Sequence, residues 1–377
     1  MKKLLLILFL FVFLVGCEKA EVPPEKAEMD TPDEIVTVNE AERKDEMTEP
    51  KKTKRSFGEI LDKIKLLGRV YKKGEEIVTS WPGSGFEIRV KSDGGAFKIR
   101  YSVGKSEATL PYFNVYVDGA LVERAVFKGN GKYFLELSEG EHTIALYRDS
   151  ANSPAEACNF MNIDFEGDVL DKPENKERYI ELIGDSISSG LGSLGQYTED
   201  VDWKASEHSV SSSFGFYVAE EFDADISVIA KGGIGLLAAS NGKTMLDLYP
   251  YVNGYVSDEK YSFERKPDLV IVALSANDST KKYSDEQFEE ALKEMYRQIF
   301  SSYGEDTVIL WVGKNEARYN TALKVASETG ENVHALRYAY GVSGSGPSIA
   351  GAAHPNAEEH REYADAIIEY IKENKLL

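Results

Sequence analysis

The sequence predicts two domains of different class: an all-β sandwich or jelly roll, then an α/β domain built on a parallel sheet wound on both faces. Two observations carry this. From Gly68 to about Asp168, apolar and polar residues alternate in short runs broken by Gly, Asp, Ser and Asn, the period of half-buried strands. After the polar stretch DVLDKPENKE, short apolar runs alternate with longer stretches whose apolar residues recur every three or four positions. That is the grammar of strands and helices in alternation. The boundaries fall at 57–172 for the β domain and 173–377 for the α/β domain.

The β strands are read from SWPGSGFEIRVKS, GAFKIRYSV, PYFNVYVDGALVERAVF, KYFLELSEGEHTIALYRDS and ACNFMNIDFEG, with VDGAL and SEGEH as hairpin turns. In the second domain YIELIG (from Tyr179), ADISVIA, DLVIVALS (from Asp268), TVILWVG and NVHALRYAY are strands. Phe214, Tyr217, Val218 and Phe222 share one helical face, and Phe288, Ala291, Leu292, Met295 and Ile299 another, with Ser284 and Gln287 as a capping box. A third helix ends at Gly330, and the last has Pro355 in its first turn.

Ahead of these domains, Lys2 and Lys3 precede an apolar run from Leu4 to Val15, followed by Gly16 and Cys17. The run is too short for a permanent membrane span and has the layout of a signal peptide, residues 1–16. LVGC resembles a bacterial lipobox, which makes Cys17 a lipidated mature N-terminus and the protein an extracytoplasmic, membrane-anchored lipoprotein. Cys158 is then the only free thiol. Residues 17–56 are rich in Glu, Lys, Pro and Thr and read as a solvated tether.

Composition excludes some functions. The 377 residues carry a net charge of −20, which argues against a nucleic-acid partner. No His/Cys/Asp group has metal-ligand spacing, so neither a metal nor another cofactor is expected.

Ligands of open α/β sheets bind at the carboxyl ends of the strands. Four segments with chemistry fall there: GDS with Ser186, KGGIG with Gly232 to Gly235, SAND from Ser275 to Asp278, and AAHPN with His354 before the last helix. A serine needs a neutral base and donors for the developing oxyanion to act as an acyl-transfer nucleophile. His354 supplies the base. Its place at a helix N-terminus favours the neutral imidazole. The Ser186 N–H, the Gly233 N–H and the Asn277 side-chain amide supply three donors. Of the other histidines, His142 reads as a strand-edge residue, His208 as part of a polar loop, His334 as a core residue and His360 as solvated. Asp185 and Asp278 read as loop braces, and Trp311 as a core residue. Tyr249 and Trp311 are of a type that could stack on sugar, although the apolar strand around Trp311 favours core packing.

In this order, IGDSISSG, GGIG, SAND and HPN resemble the four blocks of the SGNH (GDSL-type) esterases. GRVYKKGEEIVTSWPGSGFEIRV, PYFNVYVDG, LSEGEHTIALYRDS and KTMLDLYP are similar to carbohydrate esterase family two, over roughly Gly68 to Leu377. The resemblance implies a jelly roll followed by a flavodoxin-like, three-layer αβα hydrolase. It implies a serine esterase that removes O-acetyl groups from polysaccharides, with Ser186 as nucleophile, His354 as base and Ser186, Gly233 and Asn277 as oxyanion hole. Two positions depart from the family pattern. Gly351 stands where an aspartate usually orients the histidine, so a Ser–His dyad with a main-chain carbonyl on the imidazole is expected. Ser275 stands where glycine is usual, which predicts crowding beside Asn277. A lipase or thioesterase of the same fold, and a carbohydrate-binding protein with a degenerate site, are the competing readings.

Overall fold

The computed structural model describes residues 52–104, 110–150, 157–195, 204–338 and 354–377. Residues 1–16, the proposed anchor Cys17, the tether as far as residue 51, and Gly351 lie outside the described residues.

The N-terminal domain is an antiparallel β sandwich of nine strands: β1 (Lys52–Ser56), β2 (Ile64–Leu67), β3 (Val70–Lys73), β4 (Glu76–Thr79), β5 (Gly85–Val103), β6 (Tyr112–Val117), β7 (Ala120–Val126), β8 (Asn130–Arg148) and β9 (Cys158–Val169). The strand order is β3-β4-β9-β5-β8-β6-β7, with β1 added to β9 and β2 to β5. Residues 52–56, assigned from composition to the tether, are strand β1, paired from Lys52↔Glu166 to Ser56↔Asn162. Backbone pairing holds this segment and Thr53 alone points inward, bonding the Gly167 carbonyl, so its polar composition concealed it. VDGAL turns as expected, with Asp118 and Gly119 at φ 53° and 80° between paired Val117 and Ala120, the left-handed pair of a tight hairpin. SEGEH does not turn. It lies inside β8, where Gly140 (φ 135°) faces Ser92 of β5. Gly94 and Gly95 on β5 also have positive φ. Glycine adopts these conformations without a Cβ clash, so two long strands bend together instead of ending.

The second domain runs β10 (Arg178–Gly184), α1 (Phe214–Glu221), β11 (Ala224–Ala230), the one-turn α2 (Met245–Leu248), β12 (Leu269–Ala273), α3 (Asp285–Tyr303), β13 (Ile309–Gly313), α4 (Glu316–Thr329), β14 (Val333–Arg337) and α5 (Ala357–Asn374). Its sheet is parallel in the order β11-β10-β12-β13-β14, the flavodoxin-like arrangement. Alternation along each strand sorts the core into two layers. Ile183, Ile229, Val270, Val272, Ile309 and Trp311 pack with α3 and α4. Ile180, Leu182, Val228, Ile271, Leu310 and Val312 pack with α1 and α5. Covered on both faces, the strands read as unbroken apolar runs. The Ser284–Gln287 capping box is present. Pro355 lies one residue before the N-cap Asn356 rather than in the first helical turn, because Asn356 and Glu359 form the capping box of α5. That leaves His354 on the approach to the helix.

The two domains share buried chemistry. Trp81 of the SWPGSG segment is fully buried within the core of the second domain, and its Nε1 donates to the Val252 carbonyl at 2.7 Å. Gly83, at φ 75°, lets the turn rest against the Phe216 ring. Arg69, between β2 and β3, reaches Glu181 in the middle of β10 at 3.5 Å, both fully buried. Arg69 also donates to the Tyr249 and Tyr251 carbonyls. Glu181 accepts from the Tyr249 and Tyr303 hydroxyls at 2.8 and 3.0 Å. Removing one partner of such a pair strands the other charge away from water, at a cost of about 3–5 kcal/mol. Arg69→Met is therefore expected to lower the urea midpoint more than the double variant Arg69→Met/Glu181→Gln, measured by tryptophan fluorescence. A double variant as unstable as the single would refute the charge-based account.

Candidate active site

β10 ends at Gly184 because Ser188 lies directly against it. A Cβ at Gly184 would collide with the Ser188 hydroxyl. The chain then turns sharply: Ser189 N–H donates to the Asp185 carbonyl (3.1 Å), Leu191 N–H to the Ser186 carbonyl (3.1 Å) and Ser189 Oγ to the Ser186 carbonyl (2.9 Å). Ser186 is held at the strand end, 7% exposed. His354 Nε2 lies 2.7 Å from Ser186 Oγ, 168 residues apart in sequence. This contact is within reach for direct proton transfer.

Gly233 sits beside this pair at φ 76°. A Cβ on the preceding Gly232 would meet Ser186 Cβ at 3.8 Å, so the glycine loop borders the serine. Among the described residues neither the Ser186 nor the Gly233 N–H donates to another backbone carbonyl. Asn277 Nδ2 donates one hydrogen to the Ile234 carbonyl at 2.8 Å; an amide carries a second. The structure thus brings Ser186, His354, Gly233 and Asn277 to one edge of the sheet.

The two carboxylates brace this edge. Asp278 accepts from the N–H groups of Leu236 (2.9 Å), Leu237 (2.9 Å) and Ala238 (2.8 Å), tying the loop after β12 to the loop after β11. Gly235 is glycine because a Cβ there would collide with that carboxylate. Asp185 accepts from Ile187 N–H at 3.0 Å. Its pKa is pushed up to about 7, by burial first and against the Ile187 bond, with the charge of Asp278 adding to the rise. Ser275 is accommodated: it stands against Gly313 of β13, where a Cβ would come within 2.8 Å of its hydroxyl. The missing side chain at Gly313 provides the room.

Two histidine expectations, those for His360 and His334, are corrected. His360 is fully buried, 0% exposed, not solvated. It lies on the inner face of α5 and its Nδ1 accepts from Phe214 N–H at 3.3 Å. Burial, then the neighbouring His354, push its pKa down to about 3. His208 is buried too, its pKa pushed down to about 4 by burial, His354 and Arg124. His334, expected in the core, is half-buried on the edge strand β14 against Tyr370. His142 pairs with Asp118 at 2.8 Å. Trp311 and Tyr249 are both core residues, fully buried.

The first domain also supports the edge. Arg124 of β7 pairs with Asp149 at 2.6 Å and donates to the carbonyls of Ser206 (3.0 Å) and His208. Asp149 accepts from the hydroxyls of Ser209 (3.0 Å) and Ser211 (2.7 Å). Ser209 N–H in turn donates to Gly190 in the turn that carries Ser186. An isolated arginine in a β strand gives no sequence signal for such a role.

Two family profiles describe the chain. The carbohydrate esterase 2 N-terminal domain matches residues 66–173. The GDSL-like lipase/acylhydrolase family matches residues 182–377, more than half of the chain. The chain belongs to the GDSL-like lipase/acylhydrolase family. It is a carboxylic ester hydrolase, with a β sandwich of the carbohydrate esterase 2 type ahead of the GDSL domain. It is 29% identical over 245 residues to the cellulase/esterase CelE of Acetivibrio thermocellus, covering 62% of this chain and 29% of that protein. It is 24% identical over 319 residues to an acetylxylan esterase / glucomannan deacetylase of Cellvibrio japonicus, covering 78% and 85%. In structure it resembles a family two carbohydrate esterase from Clostridium thermocellum solved with cellohexaose, with TM-score 0.72, 22% identity and coverage of 83% and 100%.

The buried histidines give the GDSL domain an acid limit. Above the ordinary histidine pKa of 6.5, His360 is neutral folded or unfolded and contributes nothing to pH dependence. As pH falls below 6.5 the unfolded chain takes up a proton that the native state refuses until about pH 3, so stability is lost across that window. Asp185 acts oppositely, gaining stability as pH falls from about 7 toward 3.8. His208 acts with His360. His360→Asn keeps an acceptor for Phe214 N–H and does not titrate. The fall in Tm between pH 7.5 and 5, read by calorimetry, is expected to be smaller in this variant than in the parent. Equal slopes would show that His360 does not control it.

Proposed function

We propose that this GDSL hydrolase removes O-acetyl groups from a polysaccharide or oligosaccharide through an acyl-enzyme on Ser186, with His354 as the base. The 2.7 Å contact between His354 Nε2 and Ser186 Oγ carries the reading. The names of its relatives, acetylxylan esterase / glucomannan deacetylase among them, support the substrate class. In the first half-reaction Ser186 Oγ attacks the acetyl carbonyl carbon as His354 Nε2 takes its proton. The carbonyl oxygen becomes an oxyanion between the Ser186 N–H, the Gly233 N–H and the second hydrogen of Asn277 Nδ2, donors fixed before charge develops. Collapse breaks the bond to the sugar oxygen, which leaves with the proton from His354. Water then loses a proton to His354 and attacks the acetyl-serine, releasing acetate and restoring both side chains.

With His208 and His360 held neutral down to about pH 4 and about pH 3, neither competes for the proton at neutral pH. Asp185 and Asp278 accept from backbone N–H groups, and glycine stands at position 351; both support reading the pair as a Ser–His dyad. Lipidation of Cys17 would place this activity outside the cytoplasm on a membrane surface, which metabolic labelling with a fatty-acid probe and a Cys17→Ala control would test.

The decisive experiment uses the full chain with 4-nitrophenyl acetate, butyrate and octanoate, and then acetylated xylan and glucomannan with acetate release as readout. Selectivity for acetate is expected, with Ser186→Ala and His354→Ala each lowering kcat by at least about 10³-fold. Preference for octanoate would indicate a lipase, and glycan binding with no turnover above the two variants would indicate a degenerate site.

A further inference from the structure

The oxyanion donor that sequence places at Gly233 is a backbone N–H, and a backbone N–H must be aimed by whatever holds its peptide plane. In a trans peptide the carbonyl of one residue and the N–H of the next point in opposite directions. No described peptide bond is cis. The plane that carries the Gly233 N–H is therefore steered by the Gly232 carbonyl. That carbonyl accepts from Ser240 Oγ at 3.0 Å. The Ser240 hydroxyl has one hydrogen, and it is spent on this bond. Its oxygen accepts in turn from Lys231 Nζ at 2.8 Å.

Both members of this relay are built in. Lys231, the residue after β11, is 9% exposed, and a buried ammonium requires a partner. Its Nζ lies 5.5 Å from the centroid of the Tyr255 ring. The Tyr255 hydroxyl donates to the Ser240 carbonyl at 2.8 Å, and Ser240 and Lys243 exchange backbone hydrogen bonds of 2.9 and 3.2 Å. Ser240 is thus held from its main chain while its side chain works on Gly232. Neither glycine can steer the plane itself, since neither has a side chain, and Gly233 at φ 76° favours glycine.

We propose that Lys231 and Ser240 are positioning residues of the oxyanion hole: Ser240 fixes the Gly232–Gly233 peptide so that the Gly233 N–H faces away from Ser240 toward the reacting carbonyl, and the Lys231 ammonium polarises that peptide through the Ser240 hydroxyl. This rests on the reading of Gly233 as an oxyanion donor. A cation donating to a hydroxyl that donates to a carbonyl draws electron density along the chain and strengthens each following bond. The N–H at the end of the relay becomes a better donor to an oxyanion than to a neutral ester oxygen. Its effect is therefore expected on the transition state more than on substrate binding.

The test uses the full chain carrying Ser240→Ala, Ser240→Thr or Lys231→Met, with Ser186→Ala as reference. Two quantities are read: kcat and KM on 4-nitrophenyl acetate, and the affinity for phenylboronic acid, whose tetrahedral anionic adduct on a serine mimics the intermediate. Ser240→Ala and Lys231→Met are each expected to lower kcat about 10-fold with KM changed less than about twofold. The boronate affinity should fall by the same factor as kcat, and Ser240→Thr, which keeps the hydroxyl, should restore both. Unchanged kcat in Ser240→Ala and Lys231→Met, while Ser186→Ala is inactive, would overturn the relay and leave the esterase reading standing. So would a loss of kcat without a matching loss of boronate affinity, since general loosening of the loop does not select for the tetrahedral anion. Full turnover in Ser186→Ala would overturn both. Should Ser240→Ala fail to fold, Lys231→Met decides alone, because methionine fills the same buried space without the charge.

Discussion

A carboxylate lies in the middle of the central parallel sheet, and its neutralising cation comes from the other domain. Glu181 sits on β10, the strand whose carboxyl end bears Ser186, and Arg69 arrives from the segment between β2 and β3. Neither group touches water. A buried charge is tolerated only when its partner and its remaining hydrogen-bonding capacity are supplied together. Two tyrosine hydroxyls and two backbone carbonyls supply most of that capacity, leaving Arg69 Nε buried without a partner among the described residues. Rings of Tyr249, Tyr261 and Phe263 lie 4.9, 4.3 and 5.2 Å from the Arg69 guanidinium carbon. This arginine and Trp81 fill part of the second domain's buried interior, so the sandwich contributes to the packing of the hydrolase domain.

The same dependence recurs at the carboxyl end of the sheet. Arg124 and Asp149 of the first domain hold the stretch from Ser206 to Ser211, which is bonded to the turn behind Ser186. Ser186 is consequently placed by three supports: the end of β10, the close approach of Ser188 to Gly184, and a polar clamp from the sandwich. Rigid support of this kind matters because acyl transfer loses rate steeply when the reacting atoms are misplaced by a fraction of an ångström to an ångström.

Charge around Ser186 and His354 is arranged by burial more than by pairing. His208 and His360 both feel His354 and are both held neutral. Asp278 spends its charge on three N–H groups of the glycine loop, and Asp185, nearby, is pushed toward the neutral acid. That leaves His354 as the group in this cluster with direct contact to the serine. Ser275 fits the same logic of compensation, since the space it needs is provided by the absent Cβ of Gly313 on the neighbouring strand.

The sequence by itself determined the two domain classes, the strand and helix order of the second domain, and the four residues that meet at its edge. It could do so because a parallel sheet puts every strand end on one side, whatever the separation along the chain. It missed β1, since a strand held by its backbone and facing water leaves no apolar pattern in KTKRS. It misjudged SEGEH, since glycine serves a bend as readily as a reversal. It placed His360 in solvent, because the acidic residues around it on α5 describe the helix's outer face and not its own. Only the tertiary structure brings Arg69 to Glu181, Arg124 to Asp149, and Lys231 through Ser240 to the Gly232 carbonyl. Their signal is geometric: a lone charged or hydroxyl side chain acquires meaning from the carbonyl or carboxylate it meets, and that partner is set by packing between segments that no local period relates.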